Sequence, residues 1–198
     1  MTPPGDRHAE RREQSIERLQ RAAVDLLAAR SYADIRIEDI TGQAGMAKGS
    51  LYMYFEGKDE LYLKVFDRFF ESLFAEQFEE MAGHEDPGEA LRGMVDFAVE
   101  QISPSDEIMF IYRATMDPAL MKLVRPHTEK FMARYVEFVE SMFRQLGRTD
   151  VGPLSYLLAV LLDGLWFYRI MELEPAELAE SQRARQDLKQ TICRLFKL

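Results

Sequence analysis

The stretch from Ile37 to Lys58, IEDITGQAGMAKGSLYMYFEGK, constrains this chain more than any other part of it. Ile37, Ile40 and Ala44 recur at i, i+3 and i+7 and so share one face of a short helix, whose first turn carries Glu38 and Asp39 in keeping with the helix dipole. Gly45 then supplies the backbone freedom of a tight turn, and Met46 is apolar enough to plug the angle between two helices. A second helix is expected from Ala47 or Lys48. On it Leu51, Tyr54 and Phe55 turn inward, which leaves Gly49, Ser50, Tyr52 and Met53 facing out and Lys48 at the edge.

That outward set suits a helix end pressed against a nucleic-acid duplex. Backbone at Gly49 can approach closely, Ser50 and Tyr52 can donate to phosphates or meet a thymine methyl, and Lys48 can neutralise a phosphate or read a guanine edge. Lys58, just past the helix, offers a further phosphate contact. The run from Ile40 to Leu61 resembles the helix-turn-helix signature of the TetR family of bacterial transcriptional regulators. The resemblance lies in the Ala44-Gly45 turn, the Lys48-Gly49-Ser50-Leu51-Tyr52 core, the Tyr54-Phe55 pair and Lys58-Asp59-Glu60-Leu61. Two positions depart from it: members often carry a Ser or Thr before the first motif helix and a Ser before the Lys, where this chain has Arg36 and Ala47. Either the missing cap comes from elsewhere or Arg36 takes over a phosphate contact.

The resemblance implies an all-α fold of about nine helices. Residues 1–58 would form a three-helix helix-turn-helix DNA-binding domain, and residues 59–198 a helical ligand-binding and dimerisation domain. It implies a repressor that holds a palindromic double-stranded operator through Lys48 to Tyr54, with phosphate contacts from Arg36, Ser50, Tyr54 and Lys58. A hydrophobic small-molecule inducer would release it. The alternative is a helical regulator that acts through a protein partner, operator binding having gone with the two hydroxyls.

A net charge of −9 seems at odds with nucleic acid, so its distribution matters. Through Lys64 there are 10 Lys and Arg against 11 Asp and Glu; the remainder holds 15 against 23. A nearly neutral N-terminal part can bind DNA if Arg7, Arg11, Arg12, Lys48 and Lys58 face one way, while the acidic remainder is repelled and helps set orientation.

Along the chain, Ile16, Leu19, Ala23, Leu26 and Leu27 form the inward stripe of a first helix from about Arg11 to Arg30. A fourth helix, Asp59 to about Met81, has two apolar rows, Leu61, Val65, Phe69, Leu73 and Tyr62, Phe66, Phe70, Phe74, Phe78, too wide an arc for one partner. Within the family it resembles, such a helix is the lever between ligand and DNA. Gly83 should end it. Asp86-Pro87, Ser103-Pro104, Asp117-Pro118, Gly152-Pro153 and Glu174-Pro175 mark later helix starts. The expected helices are 87–102, 104–115, a short piece 118–124, then 127–146, 153–173 and 175–196.

The helix from Pro153 is apolar nearly all round. With the last helix it is expected to form a four-helix interface across a two-fold axis, through Leu157, Leu161, Gly164, Leu165, Tyr168, Leu188, Ile192 and Leu195, giving a homodimer. Its apolar run contains Asp163, Gly164 and Arg169, so no membrane span is expected. Candidate ligand-lining residues are Phe66, Phe70, Met94, Phe97, Phe110, Tyr112, Phe131, Tyr135 and Trp166, since Met and aromatic side chains line adaptable apolar pockets. Each is individually more common as plain core. Tyr112, Arg113, His127, Asp163 and Arg169 are the polar groups that could orient a ligand, each more often a structural hydrogen-bonder.

A lone cysteine, Cys193, and the absence of an apolar leader in the first residues fit a cytoplasmic protein. None of the three histidines sits in a Glu-x-x-His motif, and no phosphate loop, nucleophile elbow or dinucleotide fingerprint occurs. No enzymatic activity, metal or cofactor is therefore expected.

Overall fold

Helix follows helix through the described residues, in keeping with the 3.6-residue spacing of the apolar side chains. The computed structural model describes residues 4–82, 84–101 and 105–198, with side chains for residues 8–72, 84–100 and 105–198. Among the described residues are ten helices: α1 (Pro4–Ala29), α2 (Ile37–Gln43), α3 (Lys48–Met53), α4 (Lys58–Ala82), α5 (Pro87–Asp96), α6 (Asp106–Met116), α7 (Pro118–Gln145), α8 (Val151–Ile170), α9 (Ala176–Glu180) and α10 (Gln182–Phe196). A single 3-10 turn spans Tyr32–Asp34, and α5 runs on as a π-helical turn, Phe97–Gln101. Gly83, Ser103 and Pro104 lie outside the described residues, as do the side chains of Arg7, Leu73, Phe74, Phe78 and Met81.

The chain packs as two compact units whose boundary is not at residue 58. The first is Met1–Glu71 with Asp106–His127, the second Ser72–Ser105 with Thr128–Leu198. In the first, Leu19, Ala23 and Leu27 of α1, Ile40 of α2, Leu51 of α3 and Leu61, Val65 and Phe66 of α4 share one core with Phe110 and Ala114 of α6 and Leu120 and Val124 of α7. Tyr62 lies at its centre, edge-on to Tyr32 and stacked on Phe110 at ring distances of 5.1 and 6.2 Å, its buried hydroxyl donating to the Ala23 carbonyl at 2.9 Å. As far as Phe70, the wide apolar arc of α4 is packed from several sides within this unit.

The second unit buries Leu91 and Val95 of α5, Val139 and Phe143 of α7, Leu158 and Leu162 of α8 and Ile192 and Phe196 of α10. Three helix boundaries differ from the sequence expectation. The segments 118–124 and 127–146 are one helix, with Pro126 inside it. Proline removes a single backbone donor there, and that loss is outweighed by Leu120 and Val124 buried before it and Tyr135, Val139 and Phe143 after it. The last expected helix is two, because the Ser181 hydroxyl accepts from the Ala184 N–H at 3.2 Å and caps a new start. Finally α1 begins at Pro4 rather than near Arg11.

Candidate nucleic-acid interface and ligand cavity

The turn between α2 and α3 is built from backbone first. Gly45 sits at φ +65°, a conformation that penalises any side chain. From α1, Arg18 donates to the carbonyls of Ala44 and Gly45 and fastens the turn to the core helix. The Arg36 side chain caps nothing, but Asp39 closes back on the helix start: its carboxylate accepts the Arg36 backbone N–H at 2.8 Å and is held below the usual carboxylate range chiefly by that bond. The Arg36 side chain remains exposed.

α3 is a tight six-residue helix with i to i+3 bonds rather than an α-helix: the Ser50 N–H reaches the Ala47 carbonyl at 2.8 Å and the Tyr54 N–H the Leu51 carbonyl at 3.0 Å. The expected inward and outward sets hold through this change. Leu51 is wholly buried and Phe55 nearly so, while Tyr54 packs beside the core with the Arg12 guanidinium 5.9 Å from its ring centre. Tyr52 is 56% and Met53 72% exposed. Gly49 faces open space, with no atom within 4 Å of where a Cβ would stand, and Ser50 is half-exposed beside it. Lys48 forms an ion pair with Glu38 across the turn, so its ammonium is fixed at the start of α3.

Lys58 has a different place from the one expected. Its ammonium donates to the carbonyls of Tyr32 and Ile35, each at 2.8 Å, and lies 3.9 Å over the Tyr32 ring. Burial lowers its pKa from the ordinary lysine value. Two of its three donors are thus committed to holding the loop before α2 against the start of α4, and at most one is left for a phosphate. Lys58→Met, which keeps the stem and deletes the donors, is expected to cost about 1–3 kcal/mol, seen as a lower urea midpoint at unchanged slope.

The same loop is held from far along the chain. Asp117, between α6 and α7, accepts from the Ser31 hydroxyl at 2.8 Å, the Tyr32 N–H at 2.9 Å and the Ala119 and Leu120 N–H groups at 2.9 and 3.0 Å. Desolvation alone would raise its pKa; these donors overcome it and the net shift is downward. Arg113 donates to the Leu27 and Ala28 carbonyls at the end of α1. Sequence spacing gives no sign of these long-range partners.

In the second unit a cavity of about 20 Å³ is lined by Met94, Ala98, Met132, Tyr135, Leu162, Asp163 and Trp166. That is room for about one water molecule, not for a ligand of ordinary size. Of the expected lining set, Met94, Tyr135 and Trp166 are there. Phe97 stands against Trp166 at 6.1 Å and Phe131 stacks on Tyr135 at 6.1 Å. Phe66 and Phe110 are instead sealed in the core of the first unit, Phe70 stacks on Phe66 at 5.0 Å beside that core, and Tyr112 belongs to the same unit. Large apolar residues at helical spacing look alike in sequence whether they fill a core or line a gap. Of the polar candidates, Arg113 is structural, His127 pairs with Asp67 at 2.6 Å and Arg169 with Glu174 at 2.8 Å. Asp163 alone of these reaches the cavity.

α8 presents a continuous apolar face to the outside. Tyr156 is 68%, Leu157 56% and Tyr168 54% exposed, with Val160 and Gly164 between them and Met171 just past the helix end. It is the one helix among the described residues long and apolar enough to cross a membrane, though Asp163 and Arg169 interrupt it. On α10, Leu195 is exposed and Leu188 half-buried, but Ile192 is only 2% exposed, packed inside its own protomer and out of reach of a partner. Leu161 and Leu165 are half-buried. Tyr156 and Val160 were not foreseen; the unbroken hydrophobicity of this helix hides which side the protomer itself covers.

Residues 19–65, the segment that contains this turn and α3, match the family model for bacterial regulatory proteins of the tetR family. The chain is 29% identical to the HTH-type transcriptional regulator CymR of Pseudomonas putida over 83% of this chain and 84% of that one. Its fold is similar to NalD, the secondary repressor of the MexAB-OprM multidrug efflux pump in Pseudomonas aeruginosa, at a TM-score of 0.68, 16% identity and coverage of 90% and 96%. It is also similar to FadR of Bacillus subtilis in complex with stearoyl-CoA, at a TM-score of 0.65, 15% identity and coverage of 91% and 96%. Regulators of this kind bind DNA operators, act as dimers and take small-molecule ligands. With a helix-turn-helix that matches residue by residue, residues 19–65 carry the DNA-binding segment of the TetR family of bacterial transcriptional regulators.

Proposed function

We propose that this protein is a ligand-responsive repressor of the cytoplasm. As a homodimer it would hold a palindromic operator and release it when a small molecule with an apolar body occupies the second unit. The observation that carries this is the exposed face of α3, an open backbone at Gly49 flanked by Ser50, Tyr52 and Met53 and standing on a core that anchors Leu51 and Phe55. Residues 1–58 would carry the DNA contacts: Lys48 to Tyr54 in the major groove, Arg36, Ser50 and Tyr54 on phosphates, Lys58 with its remaining donor. Residues 59–198 would carry ligand and dimer contacts. Two copies place two α3 helices on half-sites a helical turn or more apart.

The ligand acts through differential affinity. If it binds better when the two α3 helices stand too far apart to reach both half-sites, occupancy shifts the population away from the operator-bound form. The stearoyl-CoA complex of the FadR neighbour supports a ligand role for this domain.

The test is a gel shift on the DNA upstream of the protein's own coding sequence. Binding should weaken steeply with salt, Tyr52→Ala should lower affinity by about 1–3 kcal/mol, and Lys48→Ala should reduce the salt slope by about one counterion. No shift with any duplex at low salt would sink operator binding and favour action through a protein partner.

A further inference from the structure

The cavity of the second unit has one charged wall. Six of its seven lining groups are apolar or aromatic, the side chains of Met94, Ala98, Met132, Tyr135, Leu162 and Trp166, and the seventh is the carboxyl of Asp163. Asp163 lies on α8 at the border between the buried face and the exposed one: its inner side faces the cavity and its outer side stays open to solvent. Among the described residues no Lys, Arg or His pairs with it. Three cations elsewhere in the unit are engaged with other groups: Arg169 with Glu174 and the Val99 carbonyl, Arg185 with Glu100, Lys189 with Asp96 and Glu100.

We propose that this cavity is the binding site for an organic ammonium ion carrying an apolar body, with Asp163 as its counter-charge and Tyr135 and Trp166 as the aromatic faces that receive it. The proposal rests on the ligand-responsive role of the second unit and adds the chemical class of the ligand. A neutral ligand filling this space would strip water from Asp163 and give nothing back, and an anion would be repelled. A cation supplies the missing partner, and ring faces attract it further. The loss of water on its cavity side already raises the pKa of Asp163.

Two other features favour the same class. Residues 72–105 and 128–198, the second unit, carry 11 Lys and Arg against 18 Asp and Glu, a field that concentrates cations near it. The gap itself is closed to about 20 Å³, and Met94 and Met132, unbranched and with several rotatable bonds, are the side chains best able to withdraw and admit a larger body.

The chain has a single tryptophan, so Trp166 emission reports this cavity alone. The full-length protein is titrated with benzyltrimethylammonium and with its uncharged isostere neopentylbenzene, following Trp166 emission and the thermal midpoint. The ammonium ion is expected to bind at least about tenfold tighter than the isostere. Asp163→Asn should remove that preference while leaving neopentylbenzene binding as it was. Equal or tighter binding of the neutral probe overturns the proposal and leaves the second unit as an apolar ligand site; so does a preference that survives Asp163→Asn. If neither probe changes emission or midpoint, the ligand role of this cavity fails and the proposal with it.

Discussion

A protein carrying Leu157→Glu and Val160→Glu is expected to run as a monomer in light scattering and to bind a two-half-site operator on the order of 100- to 10 000-fold more weakly than wild type. Both side chains are exposed in the protomer, 56% and 49%, so neither change disturbs its core and each should alter protomer stability by no more than about 0.5 kcal/mol. Their effect falls on the assembly. Tyr156, Leu157, Val160, Tyr168 and Met171 form an exposed apolar face of the kind that marks a contact surface, and Gly164 within it has nothing within 4 Å of a would-be Cβ, so a partner helix can come close there. Four carboxylates across a two-fold contact would be desolvated without partners. Once the dimer is lost, the second half-site no longer gains from the effective concentration that the first provides. A double variant that still scatters as a dimer would move the interface elsewhere, and a monomeric wild type would remove the two-half-site operator altogether.

Phe110→Ala is expected to cost about 3–5 kcal/mol and to abolish operator binding through the fold. Phe110 is 2% exposed, stacked on Tyr62 at 6.2 Å and edge-on to Phe69 at 5.5 Å. It comes from α6, yet the core it fills is the one under α1, α2 and α3. A loss of that size takes much of the 5–15 kcal/mol typical of a folded domain. The same packing predicts that a fragment of residues 1–71 does not melt cooperatively, because Phe110, Ala114, Leu120 and Val124 are absent from it. Circular dichroism melts of the variant and the fragment check both statements. A fragment with a sharp transition of its own would show that residues 106–127 are dispensable to the first unit.

How much of this is written in the sequence depends on the reach of each interaction. Ile37, Ile40, Leu51, Tyr54 and Phe55 declare themselves through spacing of three and four residues, and the turn through a glycine, so the helix-turn-helix and the outward set on α3 are legible. The division at residue 58 is not how the chain packs, because the partners of α1 and α4 on α6 and α7 lie some 50 to 100 residues away and no local pattern points to them. Lys58 is instructive: beside a motif it looks like a phosphate contact, but its acceptors are carbonyls 26 and 23 residues earlier. Phe66 and Met94 are both large and apolar at helical spacing; one is core and the other faces a cavity. Ile192 and Leu195 differ by less than one turn, yet one is buried and the other 66% exposed. Periodicity gives a face its direction only when its opposite side is polar, and α8 has no polar side.

The exposed face of α3 is tested most directly at Gly49. Its φ is not positive and nothing lies within 4 Å of the Cβ position, so Gly49→Leu adds a side chain pointing into solvent. Thermal melts of the variant should match wild type to within about 0.5 kcal/mol. Fluorescence anisotropy on the upstream duplex, at one fixed salt concentration, should show affinity falling by at least about 100-fold, because the added side chain occupies the space that the duplex must enter. A variant that melts like wild type and binds the duplex just as tightly would mean that DNA does not meet this face.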